Sequence, residues 1–213
     1  MESQSFAQYK RFNYGFRVGL NALSTTEYQT FYAGEPTSGG FYTNKIGYVA
    51  AGFFRINYYS KFFLQPEIAW SFHQQDCSFG IPSASNSETY FTENLDINMN
   101  RLNANVLLGY NLIKNKPYLC DIYAGASLKW TYRMKYDISK ELRYTEKSDF
   151  SCYAGIIGFS VNISTLYFDF RYEINQPNTN LEFSDVPDIP DKYKGVFLEK
   201  NENILSFSVG MMF

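Results

Sequence analysis

The last nine residues, Leu205-Ser206-Phe207-Ser208-Val209-Gly210-Met211-Met212-Phe213, decide the fold of this chain. Bulky apolar side chains occupy every second position from Leu205 to Phe213, and Ser206, Ser208 and Gly210 lie between them. Alternation with a period of two predicts a β-strand with one apolar face. An unpaired apolar edge strand promotes aggregation. We therefore expect this strand to pair with the first strand and to close a barrel whose outer surface faces lipid.

The composition favours an all-β protein. Of the 213 residues, 19% are aromatic, with 20 Phe and 19 Tyr, and strand-forming and turn-forming residues dominate the rest. The longest apolar run, Ile46 to Phe54, has nine residues, whereas a transmembrane helix needs about 20. The net charge of −2 gives no electrostatic reason to expect nucleic acid as a partner.

The first ten residues are polar, and they predict a flexible N-terminal lead-in over residues 1–10. Met1 to Ser5 lacks the basic start and apolar centre of a secretory leader. Because the rest of the pattern fits an exported protein, we expect the leader to have been removed from this sequence.

Period-two alternation recurs along the chain and predicts eight strands, joined by connections that are alternately long and short. The predicted strands cover about Phe12–Ala22, Asn44–Asn57, Phe62–Gln75, Leu95–Asn111, Tyr118–Lys135, Phe150–Ile163, Leu166–Ile174 and Leu205–Phe213. The long connections cover about Ser24–Tyr42, Asp76–Asn94, Tyr136–Asp149 and Gln176–Asn201.

In an up-and-down meander this alternation places every short turn at one end and every long loop at the other. The asymmetry is typical of outer-membrane barrels, with short periplasmic turns, long extracellular loops and both termini in the periplasm. We therefore predict one domain over residues 11–213, an all-β, eight-stranded antiparallel up-and-down transmembrane β-barrel. A soluble barrel of lipocalin type is the alternative, but it needs its apolar face inside, and the loop asymmetry argues against it.

The fourth predicted strand changes phase along its length. Leu95, Ile97 and Met99 are the apolar positions of its first part, whereas Leu102 and Ala104 are apolar in its second part. A β-bulge near Asn100 would account for this change.

Aromatic residues concentrate near the predicted strand ends, which is typical of the two interfacial girdles of a membrane barrel. One group lies near the short turns and the other near the long loops. The predicted girdle residues are Tyr58, Tyr59, Phe62, Tyr110 and Tyr118 for the first, and Trp70, Phe72, Trp130 and Tyr132 for the second.

Charged residues recur on the face that we expect to point inwards. An eight-stranded barrel is only wide enough for its own side chains, and the mixed signs predict an internal salt-bridge network that plugs the lumen. A gated narrow channel for small solutes is the alternative. The predicted network is Arg17, Arg55, Glu67, Arg101, Asp121, Lys129, Arg133, Asp169, Arg171 and Glu173.

The candidate catalytic residues are few. Glu67, Ser71 and His73 share one face of the third strand, and a lipid-modifying enzyme using Ser, His and an acid is a second alternative. Residues on one face of a strand are about 7 Å apart per two positions, which is poor geometry for a triad. We therefore expect no enzyme, and the absence of a Cys/His cluster predicts no metal and no cofactor.

Several stretches resemble the outer-membrane β-barrel ("porin family") proteins common in bacteria of the Bacteroides group. Gly52 to Asn57 with Lys61 to Glu67 is similar to the hairpin between strands two and three of that family. The terminal Phe213 resembles the outer-membrane insertion signal that the barrel assembly machinery reads. Further similar phrases are Leu107–Tyr110, Tyr123–Ser127 and Leu166–Glu173.

The resemblance implies fold and compartment and carries no catalytic residues. We expect an integral protein of the bacterial outer membrane with a structural, adhesive or accessory-subunit role in a larger complex. Its expected partners are outer-membrane lipid and lipopolysaccharide, the assembly machinery during insertion, and other outer-membrane proteins at the extracellular loops.

Overall fold

The computed structural model describes residues 11–32, 35–36, 42–58, 61–83, 86–115, 117–138, 142–146, 150–176, 179–182 and 196–213. The predicted lead-in over residues 1–10 lies outside these ranges. These described residues form twelve strands, in the order β1 Phe12–Tyr32, β2 Glu35–Pro36, β3 Tyr42–Asn44, β4 Ile46–Tyr58, β5 Phe62–Ser83, β6 Asn86–Asn115, β7 Tyr118–Ile138, β8 Leu142–Glu146, β9 Phe150–Ile163, β10 Leu166–Gln176, β11 Thr179–Glu182 and β12 Val196–Met212.

Eight of these strands form a closed antiparallel ring. Neighbours follow the order β1-β4-β5-β6-β7-β9-β10-β12, and β12 pairs back with β1. In that closing pair Leu20 lies opposite Phe207 and Gly15 lies opposite Met212. The prediction of an all-β, eight-stranded up-and-down barrel sealed by its last strand is therefore confirmed. No helix among the described residues is long and apolar enough to span a membrane.

The two ends of the ring differ. We call the end where β4 ends and β5 begins, β6 ends and β7 begins, and β9 ends and β10 begins the turn end, and the opposite end the loop end. Both Phe12 and Phe213 lie at the turn end, where the Phe213 N–H donates to the Tyr14 carbonyl at 2.8 Å. The short strands β2, β3, β8 and β11 all pair with long strands at the loop end.

Alternation sorts the side chains between the two faces of the ring. The outer face between the two ends is apolar and exposed, and buried polar side chains point inwards. Because a soluble barrel would place these faces the other way round, this sorting is that of a barrel surrounded by lipid. Exposed apolar residues include Val18, Leu20, Ile46, Ile68, Val106, Leu108, Ile122, Ile157, Phe159, Leu205 and Phe207.

The predicted long loops are shorter than expected, because the strands continue past the apolar band. The expected loop Asp76–Asn94 is mostly strand: β5 continues to Ser83, and β6 begins at Asn86. Likewise, β1 continues to Tyr32 in register with β12 from Val196. Beyond the bilayer neither face must be apolar, so alternation disappears while the ladder of backbone hydrogen bonds persists. The prediction of loops from polar sequence alone was therefore wrong for these stretches.

The expected bulge near Asn100 lies on the neighbouring strand. Between Asn100 and Arg101 the register with β7 shifts, and the extra residue is Tyr132. The alternation of β6 is therefore unbroken, and Leu95, Ile97 and Met99 point inwards with Arg101, each at most 2% exposed. A bulge on β7 instead reverses the faces of β7 beyond Thr131.

This reversal corrects one predicted lumenal residue. Tyr132 and Arg133 are consecutive and both exposed on the outer face, whereas Met134 is buried inside. The prediction that Arg133 belongs to the lumenal network is therefore wrong, because the extra residue turns its side chain outwards.

Candidate functional site

The inside of the barrel holds the predicted charge network, and its side chains form three layers from the turn end to the loop end. Every predicted lumenal charge except Arg133 is buried there. Among the described residues the buried ionisable charges are balanced, five cations against five carboxylates. They are Arg17, Arg55, Arg101, Lys129 and Arg171, and Glu67, Asp121, Asp169, Glu173 and Glu202.

Apolar side chains fill much of the layer at the turn end. Phe53 and Tyr167 pack with their ring centroids 5.0 Å apart, together with Leu119 and Met212. A second cluster, formed by Phe63, Leu107, Tyr123 and Ile156, lies beside it. The lumen therefore contains aromatic and aliphatic side chains as well as charges, which alternation alone did not predict.

Glycines on neighbouring strands make room for these bulky side chains. Phe63 lies directly opposite Gly109, and a Cβ on that glycine would collide with the Phe63 ring. Tyr123 lies opposite Gly158 in the same way. Each large side chain thus covers bare backbone on the next strand, and the pairing of large with small residues gives a close-packed plug.

One buried ion pair lies within this first layer. Arg55 Nη1 contacts Asp121 Oδ2 at 2.6 Å, and Arg55 Nε donates to Gln65 Oε1 at 2.9 Å. The Arg55 guanidinium also lies 3.9 Å from the centroid of the Phe63 ring. The charge is compensated both by its carboxylate and by the aromatic face.

The central layer is a four-membered ionic cluster. Two arginines, Arg17 and Arg171, each place one guanidinium nitrogen 2.8 Å from Glu67 Oε1 and a second nitrogen 3.2 Å from Glu67 Oε2. Asp169 Oδ2 lies 3.6 Å from Arg17 Nη1 and 3.4 Å from Arg171 Nη2. Two bidentate contacts to one carboxylate fix its position with high geometric specificity.

Neutral side chains add further hydrogen bonds to this cluster. The hydroxyls of Tyr123 and Tyr167 donate to Asp169 Oδ1 at 2.6 and 3.0 Å. Asn105 Nδ2 donates to Glu67 Oε1 at 2.7 Å, and Arg17 Nη1 donates to Ser208 Oγ at 2.7 Å. Buried ions are tolerated when each charge has such partners.

The layer towards the loop end is more polar and contains two further ion pairs. Lys129 Nζ lies 2.5 Å from Glu173 Oε2 and donates to Asn175 Oδ1 at 2.7 Å. Arg101 Nη2 lies 3.4 Å from Glu202 Oε2. Glu202 was missed from the sequence because it falls between the fourth expected loop, which ends at Asn201, and the last expected strand, which begins at Leu205.

The candidate catalytic residues are only partly brought together. His73 Nε2 lies 3.2 Å from Ser71 Oγ, and both residues are buried. Glu67, however, lies one layer away in the central cluster with Arg17 and Arg171. Among the residues that the structure describes, no three His, Cys, Asp or Glu side chains are grouped so as to hold a metal ion.

The predicted girdle residues lie on the outer face where they are described. Trp70 and Tyr132, towards the loop end, are joined by a 3.0 Å hydrogen bond from Trp70 Nε1 to the Tyr132 hydroxyl. Towards the turn end, Phe62 and Tyr110 pack edge to face at 5.2 Å. Tyr59 falls outside the described residues. The remaining members, Tyr58, Phe72, Tyr118 and Trp130, are exposed or half-buried.

Residues 3–180 match the family described as the outer membrane protein beta-barrel domain. The closed ring and its lipid-facing outer surface agree with this match. The chain belongs to this family. Membership of this family supports the bacterial outer membrane as the location of the protein. It also supports the resemblance to outer-membrane β-barrel proteins in general, but not the restriction of that resemblance to the Bacteroides group. A comparison with curated proteins finds no match.

Solved structures of outer-membrane proteins share the fold at low sequence identity. The outer membrane protein OprG from Pseudomonas aeruginosa is similar with a TM-score of 0.57 and 13% identity, over 98% of this chain and 99% of OprG. Neisserial surface protein A is similar with a TM-score of 0.42 and 12% identity, over 96% of this chain and 98% of its own. At 13% identity the similarity to OprG shows the fold alone.

One of the similar structures corrects an expectation. The outer membrane protease OmpT from Escherichia coli is similar with a TM-score of 0.44 and 10% identity, over 100% of this chain and 99% of that chain. Outer-membrane barrels thus include an enzyme. The expectation that this chain is not an enzyme, which came from the poor geometry of Glu67, Ser71 and His73, was therefore wrong as a conclusion.

Proposed function

We propose that this outer-membrane barrel is a closed scaffold that works through its loop end, as an adhesive protein or as an accessory subunit of a larger outer-membrane complex. The observation that carries the proposal is the bridge between Arg171 and Glu67. Their strands, β10 and β5, are four places apart in the ring of eight, so the bridge joins opposite walls of the lumen. If this bridge closes the lumen, the function must lie in what the external surfaces bind.

The apolar plug supports the same proposal. It fills the turn end beneath the ionic cluster, and the equal numbers of buried cations and carboxylates give the described lumen no excess charge. Ion channels are commonly lined by rings of one sign. A narrow channel for small solutes remains the alternative, and it is tested by conductance.

The orientation is part of the proposal. The loop end, where β5 and β6 continue past the apolar band to Ser83 and from Asn86, faces the exterior. The turn end, where Phe12 and Phe213 lie, faces the periplasm, as in barrels with short periplasmic turns. Phe213 would then present its terminal strand to the barrel assembly machinery during insertion.

The test is co-purification from native outer membranes with a tagged chain after chemical cross-linking. We expect a second outer-membrane protein or a cell-surface glycan to co-purify, and to be lost when residues 183–195 are deleted. The matched control is replacement of residues 147–149 with glycine and serine. Both variants are first checked for the heat-modifiable gel migration of a folded barrel. Recovery of lipid and assembly machinery alone from the folded wild-type chain would contradict the proposal.

A lipid-modifying activity is the second candidate, favoured by the buried contact between Ser71 and His73. Its test is turnover of radiolabelled outer-membrane lipid by the wild-type chain and by Ser71→Ala. Turnover that requires Ser71 would support the enzyme and displace the scaffold as the primary role. Equal rates for the two chains would exclude Ser71 as a nucleophile.

A further inference from the structure

The bulge at Tyr132 delivers two cationic side chains to the outer surface at the edge of the apolar band. Strict alternation would have turned Arg133 into the lumen, but the extra residue turns it outwards, and Lys135 follows on the same face. Both side chains are exposed. Residues two apart on one strand face are about 7 Å apart, so the pair forms a small basic patch.

The basic patch lies directly above an aromatic group. Trp70 and Trp130 flank Leu102 on the paired strands, and the Tyr132 hydroxyl accepts a hydrogen bond from Trp70. Aromatic side chains of this kind mark the level of lipid headgroups. The two cations therefore lie at headgroup depth.

The polar neighbours of the patch suit an anion. Arg133 lies opposite Asn100 and Lys135 lies opposite Asn98, and both asparagines are half-buried on the same outer face of β6. Among the described residues, no acidic side chain pairs with either cation. The amide groups add neutral hydrogen-bond donors beside the two charges.

An acidic row bounds the patch on the side away from the membrane. Asp76, Asp96 and Asp137 are aligned across β5, β6 and β7, two residues beyond Lys135 along β7. Lys45 Nζ compensates part of this charge, 2.7 Å from Asp76 Oδ1. The row repels an anion, so a bound phosphate is confined to the level of Arg133 and Lys135, between the carboxylates and the tryptophans.

We propose that Arg133 and Lys135 bind a phosphate of lipid A, the phosphorylated glycolipid that forms the outer leaflet of the outer membrane. A guanidinium binds a phosphate in a bidentate fashion, and a lysine adds a compact charge. The acyl chains then lie along the apolar outer face below Trp70 and Trp130. This site rests on the proposed orientation, because only the exterior leaflet presents lipid A to the loop end.

The test is native mass spectrometry of the folded full chain in detergent with defined lipids. The probes are bisphosphorylated lipid A, the same lipid without its phosphates, and phosphatidylglycerol. The variants are R133Q/K135Q, which removes the patch, and Lys61→Gln, which removes an exposed cation at the turn end. All chains are first checked for folded, heat-modifiable migration.

We expect wild type and Lys61→Gln to retain lipid A equally. We expect R133Q/K135Q to retain it about tenfold less, because two exposed charge contacts to the phosphate are lost. Wild type should also prefer phosphorylated over dephosphorylated lipid A, a result that does not depend on any variant folding. Equal retention of the two lipids would overturn the proposal.

Retention of phosphatidylglycerol as strongly as lipid A would overturn the assignment to the outer leaflet. Labelling of a cysteine placed in residues 183–195 on intact cells reports orientation separately. A chain that is labelled from outside but does not select lipid A contradicts this site alone. A chain that is not labelled contradicts the orientation within the proposed function.

Discussion

Arg171 and Glu67 lie 104 residues apart in the chain, yet two guanidinium nitrogens of Arg171 contact the two carboxylate oxygens of Glu67 at 2.8 and 3.2 Å. Arg17, on β1, contacts the same two carboxylate oxygens at the same two distances. One glutamate thus holds two buried arginines, and the central cluster depends on it more than on any single arginine.

Glu67→Gln should therefore destabilise the barrel strongly. The amide keeps the shape of the side chain but leaves two buried guanidinium groups sharing only Asp169, and removing one partner of a buried ion pair costs about 3–5 kcal/mol. The measurement is urea unfolding of the barrel folded in lipid vesicles. Asp76→Asn removes one partner of the exposed pair with Lys45 and should cost less than about 1 kcal/mol. Equal losses for the two variants would show that the central cluster contributes little.

Gly109→Ala tests the packing of the plug. A Cβ at this position meets the ring of Phe63, which would have to move within a close-packed interior, and such overpacking costs about 1–3 kcal/mol. Gly52→Ala is the matched control, because a Cβ there meets nothing within 4 Å, and we expect a change within about 0.5 kcal/mol. The same unfolding assay measures both variants. A neutral Gly109→Ala would mean that Phe63 is not held against this backbone.

The acidic row predicts a pH dependence of stability. Asp96 lies on β6 beyond the apolar band, and burial, a hydrogen bond with Asp76 and the nearby charges of Asp76 and Asp137 raise the pKa of Asp96 above its ordinary value of 3.8, against the opposing charge of Lys45. The folded state then binds the proton more tightly than the unfolded state. The stabilisation that this proton on Asp96 gives to the folded barrel is complete below the ordinary pKa, and it is lost as the pH rises through the raised pKa.

Asp96→Asn removes this dependence. We expect the variant to be more stable than wild type at pH 7 and to show a flatter change in the free energy of unfolding from pH 7 down to pH 3.5. The measurement is urea unfolding at a series of pH values in that range. The raised pKa of Asp96 would be contradicted if the wild-type barrel became more stable as the pH rises and if Asp96→Asn abolished that gain in stability.

We expect Phe213 to affect the insertion of the barrel into the membrane more than the folding of the purified chain. Phe213 packs on Tyr14 with ring centroids 5.7 Å apart and exchanges backbone hydrogen bonds with it. If the assembly machinery reads this residue, Phe213→Ser should lower the amount of barrel in the outer membrane of cells while the purified chain still folds in detergent. Phe62→Ser, at an exposed position of the turn end, is the control. Equal cellular amounts of both variants and wild type would contradict the signal.

Alternation predicted the ring because the bilayer imposes it. Along Phe12 to Ala22 and Leu166 to Ile174 one face meets lipid and the other meets the lumen, so hydrophobicity reports the face of each residue directly. The inward positions of Arg17, Glu67 and Arg171 follow from this rule. Their mutual contacts do not, since they depend on how eight strands are ordered and staggered around the ring.

The rule failed where an extra residue or the end of the bilayer intervened. Tyr132 shifts the phase of β7, and nothing local in the sequence distinguishes this strand from one in which Arg133 faces inwards. Glu202 lies in the polar run Asn201-Glu202-Asn203, where alternation does not show which face a residue occupies. Phe63 could have been assigned to the plug only with the register that places Gly109 opposite, which a single sequence does not supply.

The central claim is that the lumen is closed, so that the external surfaces carry the function. Conductance across a planar lipid bilayer tests whether the lumen is closed. The wild-type barrel, inserted from detergent and verified as folded, should give no discrete current steps under an applied voltage in symmetric potassium chloride. Glu67→Ala, which removes the carboxylate that joins the opposite walls, is measured in parallel. Stable, discrete steps from the wild-type chain would contradict the account.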